Sequence, residues 1–175
     1  ITVNGTIIAD GTPDDSILFT VKDTTGFAGT PNNGAWFGIV FINNGSGMNG
    51  LMNDNDSSVF NYCLFEYAKD NDIQFDRTGG AIKSVFFSKF IVSNSVFRNN
   101  KALQGGAIGL SELSSPVIIN NIFYNNTAVM NGGALSVQNF SSPLIAGNII
   151  SNNMVKGYQY SSGGGIYLSK SEATI

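Results

Sequence analysis

Gly79-Gly80-Ala81-Ile82, Gly105-Gly106-Ala107-Ile108, Gly132-Gly133-Ala134-Leu135 and Gly163-Gly164-Gly165-Ile166 are four copies of one short block, set 26, 27 and 31 residues apart. Self-similarity at such a period marks a solenoid, in which each copy belongs to one lap of the chain. A second block keeps the same step: Asn94-Ser95-Val96-Phe97-Arg98-Asn99-Asn100, Asn120-Asn121-Ile122-Phe123-Tyr124-Asn125-Asn126 and Gly147-Asn148-Ile149-Ile150-Ser151-Asn152-Asn153. An earlier copy reads Tyr62-Cys63-Leu64-Phe65-Glu66-Tyr67-Ala68. Phe65, Phe97, Phe123 and Ile150 follow one another at 32, 26 and 27 residues, so two independent landmarks agree on the period.

Inside a lap, short β-branched and aromatic runs such as Phe90-Ile91-Val92 and Val96-Phe97 alternate with Gly, Asn and Ser clusters, and no stretch sustains a 3.6-residue period. Laps of 26 to 32 residues built from about three short strands predict an all-β parallel β-helix rather than a leucine-rich or helical repeat. Residues 1–175 read as one such domain of about six laps, with less regular laps over 1–57 and regular Gly-Gly-Ala laps over 58–175. Residues 22–33 and 43–57 are insertions that leave the cylinder, and loops of this kind commonly carry function.

Composition narrows the function. Only 12% of residues are charged against 42% hydrophobic, which describes a folded chain and not a disordered one. A net charge of −3 with nine scattered Lys and Arg residues lacks the basic footprint of a nucleic-acid binder, so nucleic acid is not an expected partner. No apolar run approaches the ~18 residues of a membrane span. The absence of histidine rules out Ser-His and Cys-His catalysis within these residues, and Cys63 reads as a small core residue. The glycine blocks lack the downstream Lys-Ser/Thr of a phosphate loop, so they are expected to turn the chain into the next lap.

The repeat pattern predicts three internal columns. Cys63, Ser95, Asn121 and Asn148 form one, Asn100, Asn126 and Asn153 a second, and Phe65, Phe97 and Phe123 a third. Stacked amides can bond along the axis without any ligand, and stacked rings add about 1 kcal/mol per pair beyond burial.

Candidate sites lie elsewhere. Asp54 and Asp56, and separately Asp70, Asp72 and Asp76, cluster closely enough to suit a hard cation such as Ca²⁺, although neither cluster has the EF-hand spacing and a solvated acidic loop is the plainer reading. Sugar hydrolysis needs two carboxylates about 5–10 Å apart, and residues 79–162 hold a single acid, Glu112. The denser region is Glu66, Lys69, Asp70, Asp72, Asp76 and Arg77, with Arg98 and Lys101 one lap later, where cross-lap salt pairing is the plain alternative. Among the aromatics, Tyr158, Tyr160 and Trp36 are the preferred ligand-binding candidates. Tyr158 and Tyr160 sit in the longest loop of the regular laps, and either Trp36 or Phe37 is expected to point outward.

The lead-in Val3-Asn4-Gly5-Thr6-Ile7-Ile8-Ala9-Asp10-Gly11-Thr12, followed by Trp36-Phe37-Gly38-Ile39-Val40-Phe41, resembles that of secreted right-handed parallel β-helix proteins common in Bacteroidetes. The Gly-Gly-Ala-Ile blocks paired with Phe97-Arg98-Asn99-Asn100 and Phe123-Tyr124-Asn125-Asn126 are similar to the GGA(I/L/V) and FxxN repeats of chlamydial polymorphic outer-membrane proteins, whose passengers are surface adhesins. Ile150 in place of Phe and the Gly163-Gly164-Gly165-Ile166 ending depart from that pattern. The resemblance implies a secreted or bacterial cell-surface scaffold of adhesin type, part of a longer chain, with a polysaccharide or a host or neighbouring cell surface as its partner. Its alternative is a polysaccharide lyase, glycoside hydrolase or carbohydrate-binding β-helix. Fold alone does not choose between them.

Overall fold

A computed structural model describes residues 1–3, 5–29, 33–42, 57–70, 78–87, 89–157 and 161–175. Every named strand pairing in it is parallel and joins one lap to the next. The first lap contributes β1 (Thr2–Val3), β2 (Ile8–Asp10) and β3 (Ile17–Phe19), and the second β4 (Ile39–Ile42), β5 (Ser58–Asn61) and β6 (Cys63–Glu66). The third lap adds a fourth strand, giving β7 (Ile82–Val85), β8 (Phe90–Ser93), β9 (Val96–Arg98) and β10 (Lys101–Gln104). The fourth repeats it as β11 (Ile108–Ser111), β12 (Val117–Ile119), β13 (Ile122–Tyr124) and β14 (Thr127–Asn131). The fifth runs β15 (Leu135–Gln138), β16 (Leu144–Ala146), β17 (Ile149–Ser151) and β18 (Met154–Val155), and β19 (Ile166–Ser169) opens a sixth.

Corresponding strands stack into one six-stranded sheet (β1-β4-β7-β11-β15-β19), two five-stranded sheets (β2-β5-β8-β12-β16 and β3-β6-β9-β13-β17) and a three-stranded sheet (β10-β14-β18). These sheets are the faces of a right-handed parallel β-helix. The sequence pattern anticipates three strands per lap. The fourth arises because Lys101-Ala102-Leu103-Gln104 and its later equivalents run extended between the asparagine corner and the glycine pair.

On the first three faces, pairing without slippage puts like residues on top of one another, while β10 and β14 shift register by one residue between Ala102 and Gln104. Ile39, Ile82, Ile108 and Leu135 form an inward column with no exposure, and Phe60, Val92, Ile118 and Ile145 form a buried column on the second face. On the third face the expected ring stack is present: Phe65 to Phe97 is 4.5 Å and Phe97 to Phe123 is 4.8 Å between centroids, with interplanar angles of 8° and 12°. That spacing is the ordinary distance between strands. The stack also extends one lap earlier, to Phe19 at 4.7 Å from Phe65. The first face has one substitution: Ser84 stands inward between Phe41 and Leu110, and Phe87 lays its ring on Phe41 at 4.9 Å while the Ser84 hydroxyl donates to Phe87 O at 2.7 Å.

Corners need backbone that curls sharply, and asparagine tolerates the left-handed region better than other non-glycine residues. Asn94 and Asn120 (φ 48° and 57°) turn the second face into the third, and Asn99, Asn125 and Asn152 (57°, 55° and 52°) turn the third into the fourth. The residue after each turn faces inward and completes the ladder that the bend interrupts. At the first of these corners Cys63 N donates to Ser95 Oγ, Ser95 N to Asn121 Oδ1 and Asn121 N to Asn148 Oδ1, at 3.0, 2.9 and 2.8 Å. At the next, Ala68 N, Asn100 N and Asn126 N donate to Oδ1 of Asn100, Asn126 and Asn153 at 2.9, 3.1 and 3.0 Å. A serine version, not anticipated from the sequence, holds the corner between the first and second faces: Phe87 N donates to Ser114 Oγ and Ser114 N to Ser141 Oγ.

Cys63 is 2% exposed, and burial pushes its thiol pKa up from 9.0 to about 11. Because the unfolded chain ionises first, this thiol contributes stability that is intact below about pH 9 and is lost as pH rises towards about 11. Titrating the unfolding midpoint across that range should show a steeper decline in the native chain than in Cys63→Ala, the difference between the two being the thiol's share.

Candidate functional site

Outward positions of the third face carry the densest described chemistry. Register places Glu66, Arg98 and Tyr124 in one column across β6, β9 and β13. Arg98 Nε donates to Glu66 Oε2 at 2.6 Å and Arg98 Nη1 to Tyr124 Oη at 3.0 Å, while Thr20 Oγ1 donates to Glu66 Oε1 at 3.0 Å. The Tyr124 hydroxyl and the Glu66 carboxylate hold the guanidinium charged, pushing its pKa further above an already high value. Both Glu66 oxygens are therefore engaged. The 32-residue offset between Glu66 and Arg98 is the legible signal, and it resolves as a cross-lap ion pair.

Trp36 packs beside this column. Its indole N–H donates to Glu66 O at 2.8 Å and its ring stacks on Phe19 at a centroid distance of 6.1 Å, which leaves it half-buried. Its neighbour Phe37 points outward, 59% exposed. Asp70 follows the short Lys69–Lys101 bridge, its backbone N–H donating to Lys101 O at 3.0 Å. Asp54, Asp56, Asp72, Asp76, Tyr158 and Tyr160 lie outside the described residues. Among the described residues, no group of three or more Asp, Glu, Cys or His side chains is close enough to share a metal ion.

Lys69 shows what sequence reading missed. Its ammonium donates to Phe27 O at 2.7 Å and sits 5.3 Å from the Phe27 ring centroid. Burial first, and the Lys101 charge second, pull its pKa below the usual lysine value. Phe27 belongs to the 22–33 insertion, and its own return to the corner has no periodic signature. A second unanticipated feature lies on the outer side of the six-stranded sheet, where Gln138 Nε2 bridges Gln104 Oε1 at 2.8 Å and Ser136 Oγ at 2.9 Å.

The model of the right-handed β-helix region family matches residues 47–175. The chain belongs to that family. No curated protein and no solved structure matches it. Among the described residues no helix is long and apolar enough to cross a membrane.

Proposed function

We propose that this chain is a non-catalytic binding scaffold, a rigid adhesin-like segment working outside the cell or on a bacterial cell surface. The observation that supports it most is the use made of the repeat's polar side chains. Ser95, Asn100, Asn121, Asn126, Asn148 and Asn153 all bond between laps. Among the described residues, Glu66 and Arg98 are an acid and a base that meet across laps, and they are bound to each other. A stack of this kind transmits stiffness from lap to lap, so the repeats supply shape and the interruptions supply contacts.

Incubating the chain with a panel of neutral and acidic polysaccharides, and following both retention and polymer length, tests the reading. Retention with unchanged length is the expected outcome. Shortening of any polymer, or release of unsaturated or reducing ends, would overturn it in favour of a lyase or hydrolase.

A further inference from the structure

A cleft of 270 Å³ opens where the Phe27 segment folds against the corner that leads into β10, β14 and β18. Phe27 and Tyr67 form one wall, edge to face at 5.5 Å. Lys101 begins β10, Thr127 lies beside it in register on β14, and Lys156 follows β18, its backbone N–H fixed to Ala128 O at 2.9 Å. Exposed Asn125 completes the rim. The laps thus bring two lysines, an asparagine and a threonine to the lining of one hollow.

The charge balance of the hollow runs against that of the chain. The net charge is −3, yet among the described residues the cleft lining holds two lysines and no carboxylate. The ion pair found among the described residues is Arg98–Glu66, and it involves neither Lys101 nor Lys156. Lys69, paired with Lys101 along the backbone and bonded to Phe27 O, adds a third positive charge next to the cleft wall. Two lysines lining one hollow gather positive potential there, and an anion seated between them would relieve their repulsion. A bare phosphate or sulfate would satisfy the lysines but would leave the aromatic wall, Asn125 and Thr127 without a role. A pyranose bearing a carboxylate uses all of them: the acid for the lysines, hydroxyls for the amide and Thr127, and an apolar ring face for Phe27 and Tyr67. The volume, just below the roughly 300–1,000 Å³ of drug-sized ligand pockets, suits one such unit.

We propose that this cleft is a binding subsite for an acidic sugar residue. The proposal rests on the scaffold reading and gives that scaffold a ligand class.

The test titrates the intact chain with glucuronate, glucose and inorganic phosphate while following backbone amide resonances. Glucuronate should shift the Asn125, Thr127 and Lys156 signals saturably, with glucose at least about tenfold weaker, a difference of roughly 1.4 kcal/mol. The double variant Lys101→Gln, Lys156→Gln should lose the glucuronate response while keeping the native unfolding midpoint. An unchanged response in that variant, equal binding of glucose, or phosphate displacing glucuronate at equal concentration would each overturn the acidic-sugar subsite and leave the scaffold standing. Cleavage of a glucuronate-containing polymer would overturn the scaffold and leave the subsite standing.

Discussion

Gly106→Ala is expected to destabilise the chain by about 3–5 kcal/mol, a large part of the ~5–15 kcal/mol that holds a typical domain together. The cause is the closeness of successive laps. A Cβ on Gly106 would overlap Gly133 O and lie 2.7 Å from the Thr127 backbone, and these nearest atoms are main chain that cannot swing aside. The first glycine of the block serves another purpose, since Gly105 (φ 60°) holds the left-handed turn. Gly164 occupies the same motif position as Gly106 but has only Asn153 O within 4 Å, at 3.8 Å. Gly164→Ala in this chain should therefore move the urea midpoint little, whereas Gly106→Ala should lower it steeply at constant slope. Equal shifts in the two variants would contradict the close-approach explanation.

Asn126→Ala should cost about 3–4 kcal/mol, because leaving a buried polar group unpaired costs roughly 1–3 kcal/mol each. Asn126 is fully buried. Its Oδ1 accepts from Asn100 N at 3.1 Å and from Asn100 Nδ2 at 3.0 Å, and its Nδ2 donates to Phe97 O and to Asn153 Oδ1, each at 2.9 Å. Alanine would take the side-chain partner away from Asn100 N and Phe97 O at a place closed to solvent. Serine should recover part of the loss, since Ser95 already accepts the Cys63 N–H at the equivalent place on the neighbouring corner. A urea midpoint for Asn126→Ser no higher than that for Asn126→Ala would show that the corner needs the amide's shape and not merely an acceptor.

The columns are legible because stacking demands the same residue type once per lap, and that demand leaves a period in the sequence. Phe65, Phe97 and Phe123 and the two polar series stand where the spacing places them. Phe19 is harder to see because its lap has neither the glycine pair nor the asparagine corner, although its ring continues the same stack. Phe87 is hidden for another reason: it reaches the core from a turn and fills the space left by Ser84, a compensation that no alternation pattern records. The surface divides in the same way. The Glu66–Arg98 pair follows from the lap length, but the cleft depends on an insertion that packs where its own few contacts take it, with Phe27 meeting Tyr67 and Lys69. The repeats encode the cylinder by redundancy, and a feature that occurs once has no second copy to reveal it.

The central claim is that the recurring polar residues complete the backbone ladder at the corners and are not reserved for a ligand. Native-state hydrogen exchange of the Asn100, Asn121 and Asn126 backbone amides tests it most directly, because each donates to a side-chain oxygen of the next lap and not to a backbone carbonyl. These amides should exchange only through global unfolding, with the same free energy as the strand amides of Phe97 and Phe123. Exchange through local opening, several kcal/mol easier than that of the flanking strands, would contradict the claim.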